Sequence, residues 1–106
     1  MSNVHVTSKE LLTDVTTTGA GAAFRSPSER SFQAHGLTTA GAGAATVKVQ
    51  VSNDNSNWID LGTISLTLST TRSTDGFACI AAWAFVRGNV TALSGTGAKV
   101  SLIMGF

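Results

Sequence analysis

The chain has 106 residues, a length that supports a single domain with one hydrophobic core. Hydrophobic residues make up 42% of the chain and charged residues only 12%, about half of the usual charged share. The net charge of +1 comes from scattered basic residues, which argues against binding of nucleic acid through clustered cations. A surface so poor in charge is typical either of a subunit that neighbours partly cover or of a monomer with a neutral Ser/Thr surface.

The N-terminus has no basic segment followed by an apolar stretch, so we expect no secretory signal. No apolar run approaches the roughly 20 residues that a membrane-spanning helix needs. The single cysteine, Cys79, cannot form an internal disulfide, so no disulfide framework is implied. These features together predict a protein with neither a membrane nor a nucleic acid as its partner.

Residues 1–18 are predicted to form an N-terminal arm that precedes a single β-sandwich domain over residues 19–106. The arm begins with alternating valines, enough for a short strand, and continues with a pair of leucines. The chain ends on an aromatic side chain that we expect to be covered in the folded or assembled state. The candidate interface residues are therefore the apolar side chains near the two termini: Val4, Val6, Leu11, Leu12 and Phe106.

A β-hairpin over residues 45–62 is the clearest element of the sequence. Val47, Val49 and Val51 alternate with polar residues, which is the period of a strand with one buried face and one wet face. The Asn- and Asp-rich run 52–57 then predicts a turn, because these side chains bond their own backbone and tolerate left-handed conformations. An extended segment resumes after this turn.

Several other segments repeat the strand period, and they are separated by turns rich in small and polar residues. Residues 37–44 are predicted to be a linker and residues 69–76 a polar turn, and Gly88 predicts a bulge or a close approach. Seven to nine short strands with no substantial helix predict an all-β protein, an antiparallel β-sandwich with jelly-roll character. The expected core residues are Val47, Val49, Val51, Trp58, Leu61, Leu66, Trp83, Val100 and Leu102.

The glycine-rich and oxygen-rich segments are candidates for cofactor or metal sites. Each Gly-x-Gly pair leads into a predicted strand, and none completes a dinucleotide- or phosphate-binding motif. The oxygens of Asn53, Asp54, Asn55 and Asn57 suit Ca²⁺, but the loop of residues 53–57 offers one carboxylate and lacks the glycine and glutamate of a calcium loop. We therefore expect no cofactor and no metal, and the sequence leaves open whether this loop holds a cation.

Catalytic constellations are also absent from the sequence pattern. Nucleophilic catalysis needs a nucleophile, a base and a group that orients the base, and no nucleophile elbow occurs. His35 could gain a partner only through the fold, and the candidates for that partner are Asp14, Asp75 and Cys79. We therefore expect no catalytic residues and no enzymatic activity.

Trp58 and Trp83 allow two interpretations. Exposed tryptophans on a β-sandwich can stack on sugar rings, as in carbohydrate-binding modules, whereas buried ones anchor a core or an interface. The complete absence of tyrosine favours the core interpretation, because tyrosine is common in sugar-binding platforms.

Two segments, VQVSNDNSNWIDLGTISL and AAWAFVRGNVTALSGTGAKVSLIMG, together resemble a pattern in small virion structural proteins of tailed bacteriophages. The pattern is a Val-rich strand, a Ser-Asn-Asp turn, Trp and then Leu-Gly. Trp-x-Phe-Val-Arg, Asn-Val-Thr and a Gly-Thr-Gly-Ala turn follow before a last hydrophobic strand. The resemblance covers about residues 32–105.

This resemblance implies a non-enzymatic protein located in the virion and made in the host cytoplasm. It implies assembly, often as a homotrimer, with the major capsid protein or other virion proteins as partners. A head decoration (cement) protein that stabilises the capsid through subunit contacts is the first function implied. The alternatives are a tail- or fibre-associated structural protein and a carbohydrate-binding β-sandwich module.

Overall fold

The computed structural model describes residues 8–25, 29–80 and 83–105, and these form two antiparallel sheets. In spatial order, the four-stranded sheet contains β1 (Ser8–Val15), β9 (Lys99–Gly105), β4 (Glu29–Leu37) and β7 (Ser73–Ile80). The five-stranded sheet has at one edge β2 (Gly19–Ala20) and β3 (Phe24–Arg25), followed by β8 (Phe85–Thr96), β5 (Ala40–Ser52) and β6 (Ile59–Leu68).

The strand order is that of a jelly roll. Strands β2 and β3 pair with successive stretches of β8, so they act as two halves of one edge strand in an eight-stranded sandwich. The predicted all-β sandwich with no substantial helix is confirmed. Within the described ranges, no helix has the length and hydropathy that crossing a bilayer requires.

The hydrophobic core lies between the two sheets and uses one face of each strand. Along β5, Val47, Val49 and Val51 are buried while the intervening side chains face outward, as the alternating sequence predicts. Leu61 and Trp83 are only half-buried and pack against the margin of the core. The other expected core residues that are fully buried are Leu66, Val100 and Leu102.

Gly88 marks a close approach of the two sheets. A Cβ atom at this position would lie 2.7 Å from Cδ2 of Leu102 and 2.9 Å from Cγ of Leu12, both on the opposite sheet. Any side chain larger than hydrogen would therefore force the Leu12 and Leu102 side chains to shift. The two register shifts of β8 against β5 lie elsewhere, between Ala40 and Ala44 and between Thr46 and Val47 of β5.

The predicted N-terminal arm is corrected where the structure describes it. Residues 8–15 form β1, which pairs with β9, and both Leu11 and Leu12 are buried in the core instead of forming an interface. Adjacent residues of a regular strand face opposite ways, but a register shift between Glu10 and Leu12 lets both leucines point inward. The interface residues Val4, Val6 and Phe106 lie outside the described residues.

Two predicted connections are strands in the structure. Residues 40–44 belong to β5, where Gly43 pairs with Leu68 of β6, and residues 73–76 belong to β7, where Gly76 pairs with Gln33 of β4. Gly, Ala, Ser and Thr have little preference of their own, so the available hydrogen-bonding partner decides their conformation. The linker and turn predictions for these residues were therefore wrong.

Candidate functional site

The outer surface of the five-stranded sheet carries a row of polar side chains that cross three strands. Asp60 of β6 and Arg87 of β8 both stand directly opposite Gln50 of β5. The Gln50 amide donates from Nε2 to Oδ1 of Asp60 over 2.9 Å and accepts from Nε of Arg87 over 2.9 Å. One neutral side chain therefore links an anion to a cation across the sheet.

Two further side chains extend this row. Lys48 Nζ lies 3.0 Å from Oδ2 of Asp60 and forms an ion pair with it. This is the one ion pair found among the residues that the structure describes. Asn89, which stands opposite Lys48, donates from Nδ2 to Oε1 of Gln50 over 3.5 Å. The polar face, as we call it, thus consists of five networked side chains and one tryptophan: Lys48, Gln50, Asp60, Arg87, Asn89 and Trp58.

Trp58 belongs to this polar face and not to the core, which corrects its prediction as a core anchor. The Arg87 guanidinium lies over the indole ring with its Cζ 4.2 Å from the ring centroid, and Trp58 is only half-buried. This cation–π contact holds the ring on the outer surface. The turn before β6 places Trp58 ahead of the inward alternation that begins at Ile64.

The network lowers the pKa of the Asp60 carboxyl below its usual value. The main cause is the hydrogen bond from the Gln50 amide, followed by the hydrogen bond from Lys48. Both partners donate to the charged form and therefore favour it. Asp60 serves here as an anchor of the surface network.

The predicted turn after β5 is organised around Asp54. Its Oδ1 accepts hydrogen bonds from the Ser52 hydroxyl, the Ser56 N–H and the Asn57 N–H at 2.8–2.9 Å, and its Oδ2 accepts one from the Asn57 amide at 2.7 Å. These bonds hold the pKa of Asp54 far below its usual range, and the bond from the Asn57 backbone N–H is the largest cause. The carboxylate oxygens face donors of their own loop, which is the geometry of a turn.

The remaining chemistry-bearing residues do not form a recognisable reactive set. The described residues contain no group of three or more His, Cys, Asp or Glu side chains that could hold a metal ion. Of the suggested partners of His35, Asp14 lines the same surface depression. Asp75 lies opposite Ala34, one position from the partner of His35, and its Oδ1 accepts the Gly76 N–H. The Cys79 side chain lies outside the described residues.

Sequence reasoning missed most of the polar face. The alternation of Val47, Val49 and Val51 places the intervening Lys48 and Gln50 on the wet face of a strand, but the pattern does not say which residues stand opposite them. Arg87 and Asn89 also occupy alternate positions of β8, and this outward alternation was the available signal. Only the cross-strand register brings Asp60, Gln50 and Arg87 into one row.

The fold is similar to that of two solved structures. The SPBc2 prophage-derived protein YomS matches with a TM-score of 0.62 and 16% sequence identity, over 100% of this chain and 97% of that chain. The PBSX exported protein XepA matches with a TM-score of 0.57 and 9% identity, over 93% of this chain and 36% of that chain. At these identities the similarity shows a shared fold. No family model matches the chain, and no curated protein matches it in sequence.

Proposed function

We propose that this protein is a non-enzymatic structural protein of a tailed-bacteriophage virion. The observation that carries the proposal is the match to prophage-derived YomS, which spans 100% of this chain and 97% of that one. A match over nearly the full length of both chains means that the likeness involves the whole sandwich and not one shared hairpin. The sequence resemblance to phage virion proteins supports the same role independently.

Within the virion, we propose a head decoration protein that contacts neighbouring capsid subunits. The Cα atoms span 42 × 40 × 17 Å, so the sandwich is a slab with two broad outer faces suited to lying on a lattice. On edge strand β6, Thr63, Ser65 and Thr67 are exposed and alternate with buried apolar residues. This neutral row can be covered by a neighbour without the cost of desolvating charges. A tail- or fibre-associated position is the alternative.

We also propose that the protein acts as a homo-oligomer, with a trimer as the expected form. Symmetric copies multiply weak contacts, because each further contact forms at high effective concentration. The molar mass of the purified protein, measured by light scattering after gel filtration, tests this step. A mass of three chains is expected, and the mass of a single chain at all concentrations would contradict self-association.

Co-sedimentation with capsids that lack this protein tests the virion role. Thr67→Lys places a charge in the neutral row of β6 and is expected to reduce occupancy on the particle several-fold. Thr70→Lys, the same substitution in the exposed turn between β6 and β7, is the matched control and is expected to bind as the unchanged protein does. Equal occupancy of the two variants would contradict the docking surface, and no binding of the unchanged protein would contradict the decoration role.

To test whether the N-terminal residues contribute to particle binding, the deletion must be shorter than the predicted arm. Removal of residues 1–12 would delete Leu11 and Leu12 from the core and disrupt β1. Removal of residues 1–7 spares all of β1 and is expected to leave the domain folded. Weaker particle binding by this variant would support a role of these residues in contacting a neighbour, and unchanged occupancy would argue against it.

Carbohydrate binding is a second candidate function, and the position of Trp58 favours it. The ring lies on the outer surface, in the same face as Gln50 and Asn89, whose amides suit sugar hydroxyls. Loss of binding to a glycan array on Trp58→Ala, but not on Ile59→Ala, would support this function. If the unchanged protein binds no glycan on the array, carbohydrate binding is excluded for the sugars that the array presents.

A further inference from the structure

A depression of about 230 Å³ lies at one end of the four-stranded sheet, on the surface that faces away from the core. The strands of this sheet and the turn before β7 contribute its polar lining: Asp14 from β1, His35 from β4, Arg72 from the turn, and Lys99 and Ser101 from β9. In the register of the sheet, His35 stands directly opposite Ser101. The depression is therefore built from parts of the chain that only the fold brings together.

Ser101 carries a buried hydroxyl whose proton has no acceptor within the described ranges. Ser101 is only 4% exposed, and its Oγ accepts the Asp14 N–H over 2.9 Å. The other two buried hydroxyls behave differently, because Thr38 donates to the Gly41 carbonyl and Ser52 donates to the Asp54 carboxylate. Because Ser101 lines the depression, its hydroxyl proton can be donated to a group that occupies the depression.

The cations beside Ser101 are also without partners. In the part of the chain that the structure describes, neither Arg72 nor Lys99 forms an ion pair or a side-chain hydrogen bond. With the Asp14 carboxylate counted and His35 neutral, two positive charges and one negative charge leave the lining at +1. One negative charge on a ligand would neutralise it.

The Asp14 backbone occupies one acceptor position of the Ser101 hydroxyl. Asp14 has a φ of 44°, in the left-handed region that residues other than glycine seldom adopt, and it lies in a register shift of β1. Its N–H donates to the Ser101 oxygen, and because a hydroxyl can accept and donate at once, the Ser101 proton remains available to another group. Unusual backbone conformations of this kind are found preferentially at functional sites.

We propose that this depression is a binding site for a singly charged oxyanion of the carboxylate class. The Ser101 hydroxyl and the His35 ring donate hydrogen bonds to it, while Arg72 and Lys99 supply the charge. The Asp14 carboxylate disfavours a second negative charge, so a carboxylate binds better than the dianion of phosphate. The carboxylate belongs either to a small molecule or to an acidic side chain of a neighbouring protein. This site does not depend on the virion role.

Amide chemical shifts of the isotope-labelled protein, followed during titration with sodium acetate, test the proposal. Sodium chloride at equal ionic strength corrects for screening, and inorganic phosphate measures the preference for one charge. Saturable shifts at residues 35–37, 72 and 99–101 are expected, with acetate bound more tightly than phosphate. Equal shifts with chloride, or shifts spread over the whole surface, would overturn the site. Tighter binding of phosphate would overturn the preference for one charge.

One double variant and one control variant sharpen the titration. The exposed pair Arg72→Gln and Lys99→Gln, combined, should weaken acetate binding by at least about tenfold, because both charge-assisted contacts are lost. Lys48→Gln removes one cation from the polar face on the opposite sheet and should leave the affinity unchanged. An equal loss in Lys48→Gln would mean that general charge, and not this depression, attracts the anion.

The two sources of the carboxylate are distinguished by a second probe. N-acetylglutamic acid α-amide presents the same group as it occurs in a protein side chain. Tighter binding of this compound than of acetate would favour an acidic side chain of a neighbouring protein as the natural occupant. Affinity equal to or weaker than that of acetate would favour a small carboxylate. Absence of binding by both compounds would overturn the proposal.

Discussion

The two outer surfaces of the sandwich use similar side chains in opposite ways. On the polar face, the charges of Lys48, Asp60 and Arg87 are linked through Gln50 into one network. In the depression of the four-stranded sheet, Arg72 and Lys99 have no such partners within the described ranges. The difference teaches that cross-strand register, and not composition, decides whether a surface charge stabilises the fold or remains available to a ligand.

This contrast has an energetic side. Exposed ion pairs and hydrogen bonds contribute little to stability, because water competes for the same groups and salt screens the charges. The polar face therefore orients Trp58 more than it stabilises the protein. The unpaired cations of the depression lose little by facing water and gain a partner only when an anion binds.

The largest effect is expected from Leu102→Ala, because Leu102 packs in the core between the two sheets that carry these surfaces. Leu102 is fully buried in β9 and contacts the sheet opposite at Gly88. The cavity should lower the free energy of unfolding by about 2–5 kcal/mol, measured by urea denaturation. Leu102→Met keeps most of the volume and should cost less than about 1.5 kcal/mol. Equal losses in the two variants would contradict the tight packing at this point.

The next largest effect is a loss of stability in acid, which is caused by protonation of Asp60 in the polar face and Asp54 in the turn before it. The pKa values of Asp54 and Asp60 are lowered in the folded protein, so the unfolded chain binds protons first as the pH falls. The stability that these groups contribute is present above about pH 4 and is lost as the pH falls through their folded pKa values. Urea denaturation between pH 7 and pH 2 measures this loss.

The variant with Asp54→Asn and Asp60→Asn tests the origin of this acid dependence. Its free energy of unfolding should change less between pH 5 and pH 2 than that of the unchanged protein. Thr63→Ala, a neutral exposed change on β6, should keep the full dependence. Parallel pH profiles for the unchanged protein and the double variant would contradict the assigned causes.

A smaller effect is expected from Arg87→Ala, which removes the contact that holds Trp58. The loss of the cation–π contact and of the hydrogen bond to Gln50 should cost about 1 kcal/mol. In a Trp83→Phe background, the fluorescence of Trp58 should shift to longer wavelength because one ring face becomes exposed. Arg87→Lys keeps the charge but loses the planar stacking, so its fluorescence shift should lie between those of the unchanged protein and Arg87→Ala. An unchanged spectrum in Arg87→Ala would contradict the stacking.

The smallest effect compares one cation from each surface. Lys48→Gln breaks the ion pair with Asp60 and should cost about 0.2–1 kcal/mol, less at high salt. Lys99→Gln breaks no pair within the described ranges and should change stability by less than about 0.5 kcal/mol. A larger loss in Lys99→Gln than in Lys48→Gln would reverse the comparison between the two surfaces.

The predictable part of the fold rests on strong alternation. Val47, Val49 and Val51 have no stable alternative to a half-buried strand, and the Asn- and Asp-rich run after them has a strong turn preference. The prediction that Leu11 and Leu12 form an interface was wrong because a register shift turns both side chains inward. The prediction of a linker over residues 40–44 was wrong because small residues pair with whichever strand the fold places beside them. The prediction that Trp58 anchors the core was wrong because its ring stacks with Arg87, which lies 29 positions further along the chain.

The sequence by itself determined that this protein is an all-β sandwich, because the period of two in its apolar residues can be satisfied only by strands with one buried face. The tertiary structure alone decided which outward side chains meet. That choice depends on register and bulges, which arise from packing between distant strands and leave no local trace. The row through Gln50 and the depression at Ser101 are therefore properties of the fold and not of any segment.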